Sequence, residues 1–172
     1  MRNVVTAFLT AGAMLGAASG ASAATATTNF TVSATVLKTC SVSASNLAFG
    51  NYTPGAGALT ATSSVSVLCT NGTTFTAALN GGTTTGGPVA QRLMAQSLGT
   101  GTLQYNLYTT TAHSIVWGDG SGSSLTQPGT GAGMAAGNAQ SLTVYGQLPD
   151  NATNQAAPVA AYSDVITVTV TY

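Results

Sequence analysis

The chain has 172 residues, a formal net charge of zero, 44% hydrophobic residues and only 3% charged residues. An average soluble protein has about 25% charged residues, so this chain has neither the basic patch that nucleic acid requires nor an acidic run that would gather cations. Its hydrophobic residues form no long apolar stretch, which argues against an integral membrane protein, and they are too numerous for a chain that is disordered by composition.

The N-terminal residues have the pattern of a secretory signal peptide. One Arg is followed by an apolar run and then by small residues that end in Ala21-Ser22-Ala23. This order is typical of the charged region, apolar region and cleavage site of such peptides, and the run is shorter than the about 20 apolar residues of a membrane span. We predict that residues 1–23 are removed on secretion, which leaves about 150 residues, the usual size of one domain.

The first segment after the predicted cleavage site, TTNFTVSATVLKTC at residues 27–40, alternates apolar and polar residues like a β-strand. One face carries Phe30, Val32, Ala34 and Val36. After cleavage this strand has no upstream strand with which to pair. It therefore raises the question of whose sheet it joins.

Two cysteines, Cys40 and Cys69, are present. In the oxidising compartment that a signal peptide implies, an even count indicates a disulfide. For a closed loop of about 30 residues the chain-entropy model gives roughly 3.5 kcal/mol of stabilisation. A reactive thiol pair would have the close C-x-x-C spacing, which this chain lacks.

Most of the remaining chain consists of short strand-like segments and turns. The segments are rich in Val, Thr and aromatic residues and alternate; they are SVSVLCT (64–70), TTFTAAL (73–79), TLQYNLYT (102–109), SIVWG (114–118), SLTVYGQL (141–148) and VITVTVTY (165–172). Gly, Asn and Pro clusters separate them, for example at residues 118–122 and 128–133. VAQRLMAQSL at 89–98 fits either a helix or a strand. We predict an all-β fold, an antiparallel sandwich.

The last predicted strand runs to the final residue. Ile166, Val168, Val170 and Tyr172 share one face of it. No later strand covers its edge, and an exposed apolar edge invites pairing with another chain. We therefore expect a strand without a partner at the N-terminal end of the mature chain. At the C-terminal end we expect a sheet edge that could accept such a strand.

The residues that catalysis would need are few. His113 is the only histidine and the mature chain has three Asp and no Glu, and neither a nucleophile elbow nor a calcium loop is present. We therefore predict no enzyme activity, catalytic residue, metal site, cofactor or small-molecule substrate. Trp117, with Tyr105 and Tyr108, could stack on a sugar, although core packing explains these aromatics equally well; a secreted sugar-binding module thus remains an alternative.

Seven features in order resemble the spore coat protein U domain family, which includes subunits of archaic chaperone-usher pili. They are the signal peptide, the strand before Cys40, LAFGNYTP (47–54), the second Cys at the end of a Val-rich strand, YNLY (105–108), TVYGQLP (143–149) and YSDVITVTVTY (162–172). The resemblance implies an immunoglobulin-like sandwich that is incomplete and is completed in trans by the donor strand of a neighbouring subunit. It divides the chain into a signal peptide (1–23), an N-terminal donor extension (24–38) and the sandwich domain (39–172).

The resemblance also implies roles for residues and partners. Phe30, Val32, Ala34 and Val36 would insert into a neighbour's groove, and the strand with Ile166, Val168, Val170 and Tyr172 would line the acceptor groove. Cys40 and Cys69 would tie the start of the first core strand to the end of the second. The expected partners are neighbouring pilin subunits, a periplasmic chaperone and an outer-membrane usher, for a secreted, cell-surface fimbrial subunit of shaft or adaptor type. The family name leaves a spore-coat or surface-layer protein as the alternative.

Overall fold

The computed structural model describes residues 22–172. The predicted signal peptide, apart from its last two residues, lies outside the described residues. The chain divides into two units, Met1–Thr35 and Val36–Tyr172. None of the described helices is long and apolar enough to cross a membrane.

The described part of the first unit, residues 22–35, contains no helix or strand. Phe30 is 85% exposed and Val32 is 82% exposed. The alternating segment is thus present without a partner strand, and its role as a donor strand stays a prediction.

The second unit is built almost entirely of antiparallel strands. In its described residues these are β1 (Cys40–Ala44), β2 (Leu59–Cys69), β3 (Thr74–Leu79), β4 (Arg92–Gln96), β5 (Thr102–Tyr108), β6 (Gln127–Thr130), β7 (Gln140–Leu148), β8 (Tyr162–Ser163) and β9 (Val168–Thr171), with a 3-10 turn at Ala136–Asn138 and one helical turn, α1, at Ala152–Gln155. A six-stranded sheet has the order β1-β2-β7-β5-β4-β8, and a three-stranded sheet has the order β6-β3-β9. The predicted antiparallel sandwich is confirmed.

The core lies between the two sheets because each long strand alternates in burial. β2, β5 and β7 of the larger sheet and β3 of the smaller sheet point every second residue inward. The buried cluster consists of Val65, Val67, Cys69, Phe75, Ala77, Leu79, Tyr105, Leu107, Trp117 and Val144. Nine residue pairs, from Leu59↔Leu148 to Val67↔Gln140, join β2 to β7, so these two strands form the longest strand pair of the larger sheet.

The predicted disulfide between Cys40 and Cys69 is confirmed. The two residues face each other directly in the β1–β2 ladder, with a Cα–Cα distance of 4.1 Å. Because Cys40 begins β1 and Cys69 ends β2, the bond ties the start of the first strand to the end of the second, as the resemblance implied.

Three local expectations need correction or completion. The segment 89–98 forms strand β4 at Arg92–Gln96, not a helix. The predicted strand at 114–118 is only a pair of isolated bridges, at Val116 and Trp117. The segment 128–133, expected as a Pro-Gly turn, begins inside strand β6. Pro128 is tolerated there because β6 is an edge strand, and Gly129 is needed because a Cβ at this position would overlap the Phe75 ring.

Candidate functional site

A groove of about 1120 Å³ opens into the core of the second unit. Its floor is formed by inward-facing side chains of the larger sheet, among them Val65, Leu107 and Val144. Leu79 and Val168 of the smaller sheet line its opposite side. The groove is therefore a gap in the sandwich core between the two sheets, lined by the same apolar side chains that elsewhere pack against each other.

One wall of the groove is the connection between β1 and β2, residues 45–57, which we call the strap. The strap leaves the sheet at Ser45, whose backbone N donates to Ser64 O at 3.0 Å. Leu47 and Phe49 are half-buried and pack against the core cluster. A Cβ at Gly146 would come within 2.8 Å of Leu47 and 3.0 Å of Phe49, so the glycine in β7 allows both side chains to lie against the sheet.

The far end of the strap is attached to Asp150. The Asp150 carboxylate accepts hydrogen bonds from Tyr52 Oη, from Gly55 N at 3.1 Å and from Gly57 N at 2.8 Å. The bond from Tyr52, followed by those from the two glycines, lowers the pKa of Asp150 to about 2. Burial and the Asp150 carboxylate raise the pKa of Tyr52 to about 12. Since hydrogen bonds to an ionised acceptor are the stronger kind, Asp150 is the polar anchor of the strap.

The other wall consists of residues 157–167, which we call the rim. The Asp164 carboxylate in the rim accepts hydrogen bonds from Thr83 N at 2.9 Å, Thr84 N at 3.0 Å and Tyr105 Oη at 2.7 Å. Burial raises the pKa of Asp164, but the hydrogen bonds from Tyr105 and from both threonines outweigh it, so that the pKa lies below its ordinary value. A Cβ at Gly82 would overlap Asp164, and a glycine at this position leaves room for the carboxylate.

The predicted acceptor strand follows the rim. β9 pairs with β3, with Leu79 opposite Val168 and Ala77 opposite Val170, and it is the outermost strand of its sheet within residues 22–172. Ile166, Val168 and Val170 are partly buried against the core cluster. Tyr172 follows the last residue of β9 and is 52% exposed, and its place on the acceptor face stays a prediction. Within residues 22–172, the edge of β9 that faces away from β3 is paired with no strand.

The remaining candidate residues do not form a second site. Trp117 is fully buried and its Nε1 donates to Ala77 O at 2.9 Å, so it has no exposed ring face for a sugar. Tyr105 is likewise buried. His113 lies in a turn with φ of 49°, edge-to-face with Tyr108 at a ring distance of 5.2 Å. Within residues 22–172, no group of three or more His, Cys, Asp or Glu is placed to hold a metal ion.

Sequence reasoning missed the role of Arg92. Its side chain has 0% exposure, and its guanidinium donates to Asn80 O at 2.9 Å, Trp117 O at 2.9 Å and Asn106 Oδ1 at 2.6 Å. Burial lowers the pKa of Arg92. A buried cation is normally paired with an anion, whereas these partners are neutral carbonyl and amide oxygens. No sequence signal distinguishes such an arginine from one on the polar face of a strand.

These observations define a class of protein: an antiparallel β-sandwich with an open groove beside an edge strand, β9, that is paired on one side. The chain belongs to the Spore Coat Protein U domain family, whose family model matches residues 26–169. Among curated proteins, no significant match is found.

A solved structure with a similar fold is the pre-assembly complex of the chaperone CsuC with the tip adhesion subunit CsuE, from archaic chaperone-usher Csu pili of Acinetobacter baumannii. The sequence identity is 21% and the TM-score is 0.56. The match covers 80% of this chain and 41% of the matched chain. This chain thus spans about two-fifths of the chain that it matches, and the likeness shows the fold.

Proposed function

We propose that this chain is a structural, non-catalytic subunit of an extracellular pilus that polymerises by strand addition. The extension at residues 24–38 of one subunit would enter the groove of the next, with Phe30, Val32, Ala34 and Val36 pointing toward the core. The observation that carries the proposal is the groove itself, about 1120 Å³ in volume and lined by core side chains. Exposed core surface of this kind requires a cover.

The proposed contact has the energy and the symmetry that a filament needs. Four apolar side chains, buried at roughly 1.5 to 3 kcal/mol each and less for Ala34, give an order-of-magnitude 5 to 10 kcal/mol before the backbone hydrogen bonds to β9 are counted. The donor segment and the groove are different surfaces of the chain. A contact between unlike surfaces builds an open filament when its rotation does not close into a ring.

The proposal includes assembly partners and a destination. The similar solved complex is described as a chaperone bound to a pilus subunit before assembly. By extension, a periplasmic chaperone would cover the groove and edge strand β9 of this chain, and an outer-membrane usher would then exchange the chaperone for the next subunit. The product would be a cell-surface fimbrium that supports adhesion or biofilm formation.

The test is a pair of substitutions on opposite faces of the donor segment. Val32→Asp places a carboxylate among the side chains that would be buried, whereas Ser33→Asp adds the same charge on the opposite face. Val32 is 82% exposed in this structure, so neither change should affect folding of the subunit. We expect Ser33→Asp to form ladders in unheated detergent gels and Val32→Asp to run as a single band. Equal ladders from both variants would rule out the donor assignment.

A coat or surface layer is the second candidate, and the description of the family as a spore coat domain favours it. The two candidates differ in the geometry of the polymer, because strand addition through one groove gives linear fibres. Electron microscopy of the secreted polymer distinguishes fibres from sheets.

A further inference from the structure

We propose that Asp150 and Asp164 are positioning residues that hold the two walls of the groove and thereby determine how long an added strand is retained. The inference rests on the proposed function, since it concerns the same groove. Asp119, Asp150 and Asp164 are the only carboxylate side chains in the chain. Asp164 lines the groove, whereas Asp150 lies behind one wall and holds it through hydrogen bonds to the strap.

The two anchors share three kinds of contact, namely one tyrosine hydroxyl and two backbone amides. Asp150 accepts these from the strap, and it also accepts Gln155 Nε2 at 3.1 Å. Asp164 accepts one tyrosine hydroxyl and two backbone amides, and it also accepts the hydroxyls of Thr83 and Thr84, each at 3.1 Å. A carboxylate offers about four lone-pair sites. Both anchors therefore use most of their acceptor capacity on bonds that hold a wall of the groove.

The strap depends on its anchor because it lies outside the strands. After Ser45 its attachment consists of the apolar contacts of Leu47 and Phe49 and the three bonds to Asp150. Phe49 lies edge-to-face with Tyr105 at a ring distance of 6.2 Å. Movement of the strap would therefore shift side chains that line the groove directly.

The rim is held in a comparable way between β8 and β9. Asn80 Oδ1 accepts Thr167 N at 2.9 Å, and Asn80 N donates to Thr167 O at 3.2 Å. Asp164 adds the hydrogen bonds from Thr83 and Thr84, which attach this stretch further along the β3–β4 connection. Tyr105 joins the two walls, because its hydroxyl donates to Asp164 while its ring contacts Phe49 of the strap. An added strand lies between two walls whose separation these contacts fix.

The experiment measures strand retention directly. The acceptor is the full chain carrying Val32→Asp, which accepts a strand but does not donate one, and the probe is a fluorescent peptide of residues 24–38. Asp150→Asn and Asp164→Asn are introduced singly into this acceptor. Asp119→Asn is the matched control, because Asp119 accepts Ser121 N at 2.9 Å in a turn that does not line the groove.

We expect the peptide to dissociate about tenfold faster from each anchor variant, because changes within one interface act mainly on the dissociation rate. The control should dissociate within about twofold of the parent. Hydrogen exchange should rise in the strap for Asp150→Asn and in the rim for Asp164→Asn, with the strands of the larger sheet unchanged. A general loss of stability would instead raise exchange throughout the second unit.

The outcomes separate the two proposals. If the peptide does not bind the parent acceptor, the proposed function fails and the positioning role fails with it. If the peptide binds and both anchor variants release it at the rate of Asp119→Asn, the positioning role is overturned while the proposed function stands. Should an Asn variant not fold, Tyr52→Phe and Tyr105→Phe each remove one donor hydroxyl, and unchanged release from both would also overturn the inference.

Discussion

Arg92 offers the sharpest test of how the second unit is held together. The perturbation is Arg92→Met, which keeps an unbranched apolar chain and removes the guanidinium. Asn80 O and Trp117 O, each 2.9 Å from a guanidinium nitrogen, would lose this donor. Asn106 Oδ1 would lose its bond to Arg92 but keep the one from Leu107 N at 2.9 Å.

The magnitude follows from these two carbonyls. A buried acceptor that loses its donor costs about 1 to 3 kcal/mol. Because two carbonyls lose their donor, we expect Arg92→Met to lower the free energy of unfolding by about 2 to 6 kcal/mol. Replacing a whole buried polar cluster with apolar residues is often neutral, but here the carbonyls remain in place.

The assay is urea unfolding followed by the fluorescence of Trp117, the only tryptophan in the chain. Val32→Asp serves as the background so that polymerisation does not contribute. Lys38→Met is the matched control, because it removes the same charge from an exposed side chain and should change stability by no more than about 0.5 kcal/mol. If Arg92→Met lowers the free energy of unfolding by less than about 1 kcal/mol, with an unchanged slope of free energy against urea concentration, the reasoning is refuted.

Two further predictions concern the anchors. Gly82 and Gly86 both have positive φ, 95° and 86°, so Ala at either position costs about 1 to 2 kcal/mol. Of these two substitutions, only Gly82→Ala also overlaps Asp164, and we therefore expect its urea midpoint to be clearly lower than that of Gly86→Ala. Equal midpoints would contradict the tight packing of Gly82 against Asp164. The pKa of Asp150 is about 2 in the folded chain and about 3.9 in the unfolded chain. The stabilisation by the Asp150 carboxylate is therefore complete above about pH 4 and is lost as the pH falls toward 2. The difference in unfolding free energy between the parent and Asp150→Asn should shrink over this window, and a constant difference would contradict the role of Asp150 as an anchor.

The strands that could be predicted from the sequence are those with one face in the core. β2, β3, β5 and β7 alternate because the chain must place every second residue between the sheets, and the alternation is visible in the printed sequence. The alternation does not reveal the short strands. β1, which only the resemblance implied, and β8 have little apolar patterning, and β6 contains Pro128 and Gly129, residues that usually mark a turn.

The groove could be predicted only in part. The resemblance identified LAFGNYTP and the last strand as important, but no periodicity indicates that Leu47 and Phe49 lie on the inner face of the sheet. No sequence pattern indicates the roles of Asp150 and Asp164, because their partners are backbone amides and tyrosine hydroxyls far away in the sequence. Contacts of this kind depend on loop conformation, which alternation does not encode.

Most of the few charged side chains make short hydrogen bonds within the chain. Asp119, Asp150 and Asp164 each accept backbone amides, and Arg92 donates to neutral oxygens. These charges thus fix the local conformation of loops and core, where short-range hydrogen bonds act and salt screens little. Apart from Lys38 and these carboxylates, the polar surface of residues 22–172 carries Thr, Ser, Asn and Gly, which neither repel nor attract a like subunit over a distance. Such a surface suits a chain whose selectivity for its neighbour would come from the shape of a groove and not from charge.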